Sequence, residues 1–423
     1  MIRSLLRPFP PCRLRTIATV LVLLFSIFVQ LDAQVVPGID ILVAHDFAEL
    51  RGKRVGLVLN QTAVRRDPRE STLDAFLQTR NCRLVALYAP EHGIDGSVLA
   101  GDEVGSITEP KSGLPVFSLY GRTKKPTPEM LRGVDVMVYD IQDIGVRSYT
   151  FISTLIKVME GCADAGVPVV VLDRPNPIGG DVIDGPVLEM RLKSFVGMVP
   201  VPYVYGLTVG ELAMMANGER WLEGGVVCPL TVIRMEGWNR SMRWRQTGLQ
   251  WIPPSPHVPT PEAAFANAAT GAIGEIGVAS IGIGYTLPFE LVGAPWLASV
   301  PFAERLNSLA IPGIYFRPTS FQPFYGMASG AICNGVQLIR TAERVAPFTA
   351  TVALLATLRD MHPEKRLLKD VDPVRWVMFN KVCGTDMVRE GLLAGKGYQE
   401  IARAWEKDVR KYIARREGYL LYE

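Results

Sequence analysis

The sequence predicts an α/β protein, a Rossmann-like parallel-sheet domain followed by a smaller C-terminal α+β domain. Short apolar, β-branched runs alternate with helical patterns through the first half of the chain. A length of 423 residues fits two domains. A proline-rich joint, Trp251-Ile-Pro253-Pro254-Ser255-Pro256-His257-Val-Pro259-Thr260-Pro261, is too rigid for a helix or a central strand, and the domain border is placed there, with 34–255 before it and 256–423 after it. With 48% hydrophobic and 21% charged residues, the composition excludes a disordered, coiled-coil or collagen-like chain.

Residues 1–33 read as a secretory signal. Arg3, Arg7, Arg13 and Arg15 make a basic start, Ile17 to Val29 is an apolar run, and Leu31-Asp32-Ala33 precedes Gln34 as a small-residue cleavage pattern. The alternative, an uncleaved anchor, requires a longer run than this one. The expectation is export to the periplasm or beyond, without stable membrane insertion after cleavage. Removing four arginines and one aspartate from 45 basic and 42 acidic residues leaves 41 of each. No global positive field then remains to recruit nucleic acid. The local cluster Arg240-Ser-Met-Arg243-Trp244-Arg245 reads as a solvated turn with a packed tryptophan. Five cysteines remain (Cys82, Cys162, Cys228, Cys333 and Cys383), an odd number without C-x-x-C or Cys/His clustering, so most read as small buried hydrophobes and no zinc site is expected.

Strands are expected at Arg54–Leu59, Arg83–Tyr88, Val116–Tyr120, Val134–Tyr139 and Val169–Leu172. A helix is expected from Tyr149 to Ala165, with Ile152, Ile156, Met159 and Ala163 on one face and Gly166 as its stop. Polar residues follow four of the strands: Asn60-Gln61-Thr62, Pro90-Glu91-His92-Gly93, Asp140-Ile-Gln142-Asp143-Ile-Gly145-Val-Arg147, and Asp173-Arg174-Pro175-Asn176-Pro177. Ligands of open parallel sheets bind outside the carboxyl ends of the strands, so these loops should converge on one crevice. The competing reading of any single residue is a helix cap. Glycine-rich dinucleotide and phosphate loops and the G-x-S-x-G elbow are all missing, which weighs against nucleotide enzymes and serine hydrolases. Beyond the joint come a glycine-rich stretch from Gly271 to Gly284, a strand pair around Tyr315–Phe316 and Gly335–Arg340, and helices from Ala350 and Tyr398.

These loops resemble the NamZ family of exo-acting β-N-acetylmuramidases over nearly the whole mature chain. The resemblance is carried by Gly56-Leu-Val-Leu-Asn60-Gln61-Thr62, Pro90-Glu91-His92-Gly93, Pro115-Val-Phe-Ser118-Leu-Tyr120-Gly121, Asp140 to Thr150, Asp173 to Pro177, Trp251 to Pro256 and Tyr419-Leu-Leu-Tyr422. It implies a cleft between a Rossmann-like catalytic domain and a smaller C-terminal domain. It also implies a cofactor-free glycosidase that removes terminal N-acetylmuramic acid from the non-reducing end of peptidoglycan fragments. Glu91 is the implied catalytic residue, cast as general acid. Asp140 or Asp143 would be the second carboxylate, and Arg147 or Arg174 would meet the lactyl carboxylate unless they pair with a loop aspartate. Asn60, His92, Gln142, Tyr149, Asn176, Tyr205 and His257 complete the expected substrate contacts.

The chain departs from the family pattern at Tyr205-Gly206-Leu207-Thr208, at His257, and at Ser280-Ile281-Gly282-Ile283-Gly284-Tyr285, where two isoleucines stand in for a carboxylate and a guanidinium. If that ion pair serves only the loop, exchanging both members is nearly neutral. If it reads the substrate, a respecified or catalytically silent carbohydrate binder is the alternative. Metal-dependent hydrolysis through Asp140 and Asp173 is a third reading, with the expectation of no metal.

Overall fold

The computed structural model describes residues 34–98 and 107–423. The expected signal at 1–33 lies outside the described residues. Seven strands form the main sheet: β1 (Arg54–Leu59), β2 (Arg83–Ala89), β3 (Ile107–Thr108), β4 (Pro115–Ser118), β5 (Val136–Asp140), β6 (Val169–Leu172) and β7 (Leu230–Ile233). Their order is β3-β4-β2-β1-β5-β6-β7, parallel throughout except for the short edge strand β3. Central β5 and β6 are buried at every position, as strands covered on both faces must be. The chain builds outward from β1 through β2 and β4, then crosses to β5 and builds the other way. The reversal places a topological switch point between β1 and β5, where consecutive loops diverge and leave a crevice.

The expected helix is Phe151–Ala165, closed by Gly166 at φ +69°. Its neighbour Val209–Gly218 begins at a Thr208/Glu211 capping box. Beyond the joint, Thr260 caps a helix at Pro261–Ile276, so much of the glycine-rich stretch is helical. Pro261 suits the first helical turn because its missing N–H is not needed there. A second sheet, antiparallel and ordered β8-β10-β9, comprises β8 (Leu291–Ala294), β9 (Ile314–Phe321) and β10 (Cys333–Arg340). Helices Pro347–Met361, Pro373–Cys383 and Tyr398–Arg416 complete this half.

The expected border is not a loose linker. Ile144, Val146, Val182 and Val204 from the first half share one core with Ala268, Ile273, Phe348 and Leu355 from the second. Trp244 and Trp251 pack edge to face at the start of the joint with centroids 4.8 Å apart. In the arginine cluster before it Trp244 is packed and Arg245 exposed, as expected of a solvated turn, but Arg240 departs from that reading: it is buried and paired with Glu211 at 2.7 Å. All five described cysteines are buried and free. No helix among the described residues is long and apolar enough to cross a membrane.

Candidate active site at the sheet's carboxyl edge

Leu59 pairs with Asp140 at the ends of β1 and β5, so the residues after them emerge side by side at the switch point. Asn60 Oδ1 accepts from the Thr62 amide at 3.0 Å and hydroxyl at 2.6 Å, an Asx turn. The same hydroxyl lies 2.9 Å from the Gln142 amide and links the two loops. Gln142 Nε2 donates to the carbonyls of Asp143 and Pro175, each at 2.7 Å. Four buried polar atoms here have no hydrogen-bond partner among the described residues: Asn60 Nδ2, Gln61 Oε1, Gln142 Oε1 and Asp143 Oδ1. An unsatisfied buried group costs about 1–3 kcal/mol, so their gathering at one sheet edge marks a place that a polar ligand would satisfy.

Glu91 follows β2 on a tight loop. Gly93 closes that loop with a 3.1 Å bond to the Pro90 carbonyl, and His92 takes a left-handed φ of +73°. The unusual backbone is held by His92 Nδ1 at 2.7 Å from the Val98 carbonyl and by the Val98 amide on the His92 carbonyl at 3.2 Å. Glu91 is buried, and Thr150, at the start of the helix Phe151–Ala165, donates its hydroxyl to Glu91 Oε2. Burial and the Glu91 charge push the Tyr120 hydroxyl well up, keeping it a donor to the same carboxylate.

Asp143 is buried beside Tyr205, whose hydroxyl donates to Oδ2, and the Gly145 amide donates to the same oxygen at 2.6 Å. Burial pushes its pKa up to about 6, against these hydrogen bonds. The Tyr149 hydroxyl sits beside Ser255, and burial pushes its pKa well up, against that neighbour. Burial, followed by the electrostatic influence of His92, lowers the pKa of His257. Glu91 and His92, tied to Thr150, and Asp143 and Tyr149 on the loop that Thr150 ends, therefore share one sheet edge.

Four of the expected residues are engaged elsewhere. Arg147 departs from the expected role in meeting a substrate carboxylate: its fully buried guanidinium donates to the carbonyls of Pro186 (2.8 Å), Val201 (2.7 Å) and Val382 (2.9 Å), joining the two halves. Arg174 forms a fork on Asp140, Nε to Oδ1 at 2.5 Å and Nη2 to Oδ2 at 2.8 Å, and Thr72 adds a third bond at 2.5 Å. Both oxygens of Asp140 are thus occupied, and the Arg174 cation is neutralised. Asn176 clamps its own loop, donating to the Leu207 carbonyl and accepting from the Ile178 amide. Asp173 accepts from Thr208, Gly210 and the C-terminal Tyr422, so the donors of the metal reading are spent as well. Among the described residues no group of three His, Cys, Asp or Glu side chains is placed to hold a metal.

Tyr120, Thr150, Gln61 and Ser255 lie within the sequence motifs without being assigned a site role there, and only the folded chain brings Tyr120 and Thr150 onto Glu91. A groove of about 720 Å³ lined by Arg243, Phe265, Arg340 and Glu343 is separate from these residues. Its Arg243 is already paired with Asp181 at 2.7 Å.

Comparison with known proteins matches residues 55–262 to the family described as exo-β-N-acetylmuramidase NamZ, N-terminal, and residues 268–422 to its C-terminal counterpart. The chain is 41% identical over 386 residues to the peptidoglycan β-N-acetylmuramidase NamZ of Bacillus subtilis (strain 168), covering 91% of each protein. Among solved structures it superposes on a DUF1343 family protein of Bacteroides fragilis NCTC 9343 with a TM-score of 0.87 and 42% identity, over 92% of this chain and 99% of that one. A second such protein of the same organism gives a TM-score of 0.73 at 29% identity, with the same coverage of each chain.

Proposed function

This chain belongs to the NamZ family of exo-β-N-acetylmuramidases, and from that membership we propose that it is an exported glycosidase releasing terminal N-acetylmuramic acid from the non-reducing end of peptidoglycan fragments. The observation that carries the reading is the pair of carboxyl groups at one sheet edge, Glu91 after β2 and Asp143 after β5, with Glu91 held by Thr150 at the end of the loop that carries Asp143. Glycoside hydrolysis needs one group to protonate the departing oxygen and a second to assist attack at the anomeric carbon. Glu91 is assigned the first role: its proton passes to the glycosidic oxygen as the C1–O bond breaks. Water supplies the hydroxyl that ends on C1. Asp143 is assigned the second role in preference to Asp140, because Asp143 keeps one oxygen unpartnered whereas Asp140 has both engaged. Export rests on the leader's composition at 1–33.

The test compares 4-nitrophenyl β-N-acetylmuramide, the matching N-acetylglucosaminide and the muramyl disaccharide, using wild type and Glu91→Gln. Wild type should cleave only the muramides. Loss of a general acid costs about 10²–10⁴-fold. The loss should be full on the disaccharide and smaller on the nitrophenyl glycoside, whose leaving group departs without a proton. Equal losses on both would remove Glu91 from the acid role, and no cleavage of any muramide would overturn the activity.

A further inference from the structure

The turn between β9 and β10 presents large apolar side chains to solvent: Phe324 is 77% exposed, Tyr325 55% and Met327 41%. This turn has a defined conformation. Ser329 Oγ donates to the Phe324 carbonyl at 2.9 Å, the Gly330 amide to Pro323 at 2.8 Å, and Gln322 Nε2 to Gly330 at 2.6 Å. It is also docked on the isoleucine-bearing loop, where the Phe324 amide donates to the Gly284 carbonyl at 2.7 Å. Gly284 has φ +88°, and a Cβ there would lie 2.0 Å from the Tyr325 carbonyl oxygen, so only glycine permits this approach. Tyr285 then stacks on Phe324 with centroids 6.3 Å apart and planes 25° from parallel, and packs on Phe321 at 5.8 Å. The result is a rigid aromatic platform.

The platform is continuous with the candidate active site. The Tyr325 hydroxyl lies 3.0 Å from His257 Nε2, and His257 stands on the proline-rich joint that Gln61, in the loop after β1, holds through the Pro253 carbonyl at 2.8 Å. A contiguous apolar surface joined to a polar crevice marks a ligand-binding surface. The ring of a β-linked N-acetylhexosamine has equatorial polar substituents and a face of axial C–H bonds, which matches aromatic rings that carry a hydroxyl at one edge. An exo-acting enzyme that encloses the terminal sugar must leave the rest of the chain outside its crevice.

Resting on the muramidase reading above, we propose that Tyr285, Phe324 and Tyr325 form the leaving-group subsite, stacking the pyranose ring of the N-acetylhexosamine next to the scissile bond. Binding energy gathered there, away from the reacting atoms, contributes to kcat/KM for glycans and is lost on substrates without that sugar.

The experiment compares wild type, Phe324→Ala and Tyr325→Ala on two substrates: the muramyl–N-acetylglucosamine disaccharide and β-N-acetylmuramyl fluoride, which places no sugar on the leaving side. The expected result is a roughly tenfold fall in kcat/KM for the disaccharide, carried mainly by KM, and at least fivefold less loss on the fluoride. Equal losses on both substrates, or none on either, overturn the subsite. Calorimetric titration with an N-acetylglucosamine tetrasaccharide provides a readout independent of turnover. If wild type hydrolyses neither muramide, the muramidase reading fails while the titration still decides the platform. Binding weakened at least fivefold in Phe324→Ala sustains it, and identical or undetectable binding overturns it. Co-sedimentation with phosphatidylglycerol vesicles that Phe324→Ala abolishes, with disaccharide kinetics unmoved, would assign the surface to a membrane and overturn the proposal.

Discussion

Replacing Arg174 by Met would separate a structural from a chemical role for Asp140. Asp140 is fully buried and holds three hydrogen bonds, two from Arg174 and one from Thr72. Arg174→Met removes two of the three and leaves a carboxylate without its cation, the situation for which breaking a buried pair costs about 3–5 kcal/mol. Asp140→Asn leaves the guanidinium, itself 5% exposed, without a counter-charge and with an NH2 group in place of one of its two acceptor oxygens, and falls in the same range. The double variant Asp140→Asn/Arg174→Met strands no charge, and its cost should fall to about 1–2 kcal/mol. Unfolding entropy scales with size, near 2.1 cal/mol/K per residue, or about 0.8 kcal/mol/K for a unit of about 390 residues. A loss of 4 kcal/mol therefore lowers Tm by about 5 °C, and the double variant should recover more than half of that drop. Differential scanning calorimetry reads these shifts, beside kcat/KM of the folded protein at 25 °C. Asp140→Asn with Tm moved by less than about 1 °C and activity reduced more than a hundredfold would refute the structural assignment and return Asp140 to the chemistry.

Burial raises the Asp143 carboxyl from 3.8 to about 6, so the folded state holds its proton more tightly than the unfolded state does. The stability from this group is full below pH 4 and is lost as pH rises through 6. Asp143→Asn abolishes that slope, so its stability relative to wild type should improve by about 2–3 kcal/mol between pH 4 and pH 8 in urea melts. A difference independent of pH would show that Asp143 is not the titrating group. Arg147→Met removes the partner of the buried Pro186 and Val382 carbonyls, while the Val201 carbonyl keeps the Leu188 amide, and should cost about 2–6 kcal/mol at about 1–3 kcal/mol per unpaired group, with KM of the folded fraction within about twofold of wild type. A tenfold rise in KM at unchanged stability would instead make Arg147 a substrate contact.

Local periodicity along the chain accounts for much of the first half of the fold. The strands β1, β2, β5 and β6 and the helix Phe151–Ala165 lie where apolar alternation and a terminal glycine place them. The polar loops lie at the carboxyl ends of those strands because a parallel sheet with crossover helices leaves them nowhere else. The antiparallel edge strand β3 and the helix through Gly271 and Gly274 were not legible, one being only two residues long and the other rich in a residue that weakens helices.

Which loop residues are engaged internally follows from long-range packing. Arg147 meets a carbonyl 235 positions away, Arg174 meets an aspartate 34 positions away, and Tyr205 reaches Asp143 across 62 positions. A guanidinium after a strand looks the same in sequence whether it faces solvent, a ligand or a carbonyl, because its partner is set by chain crossings that no local pattern records. The same holds for Phe324, Tyr325 and Tyr285, which read as separate aromatics along the chain. Folding joins them into one surface because Gly284 lets two backbone segments approach more closely than any side chain would allow.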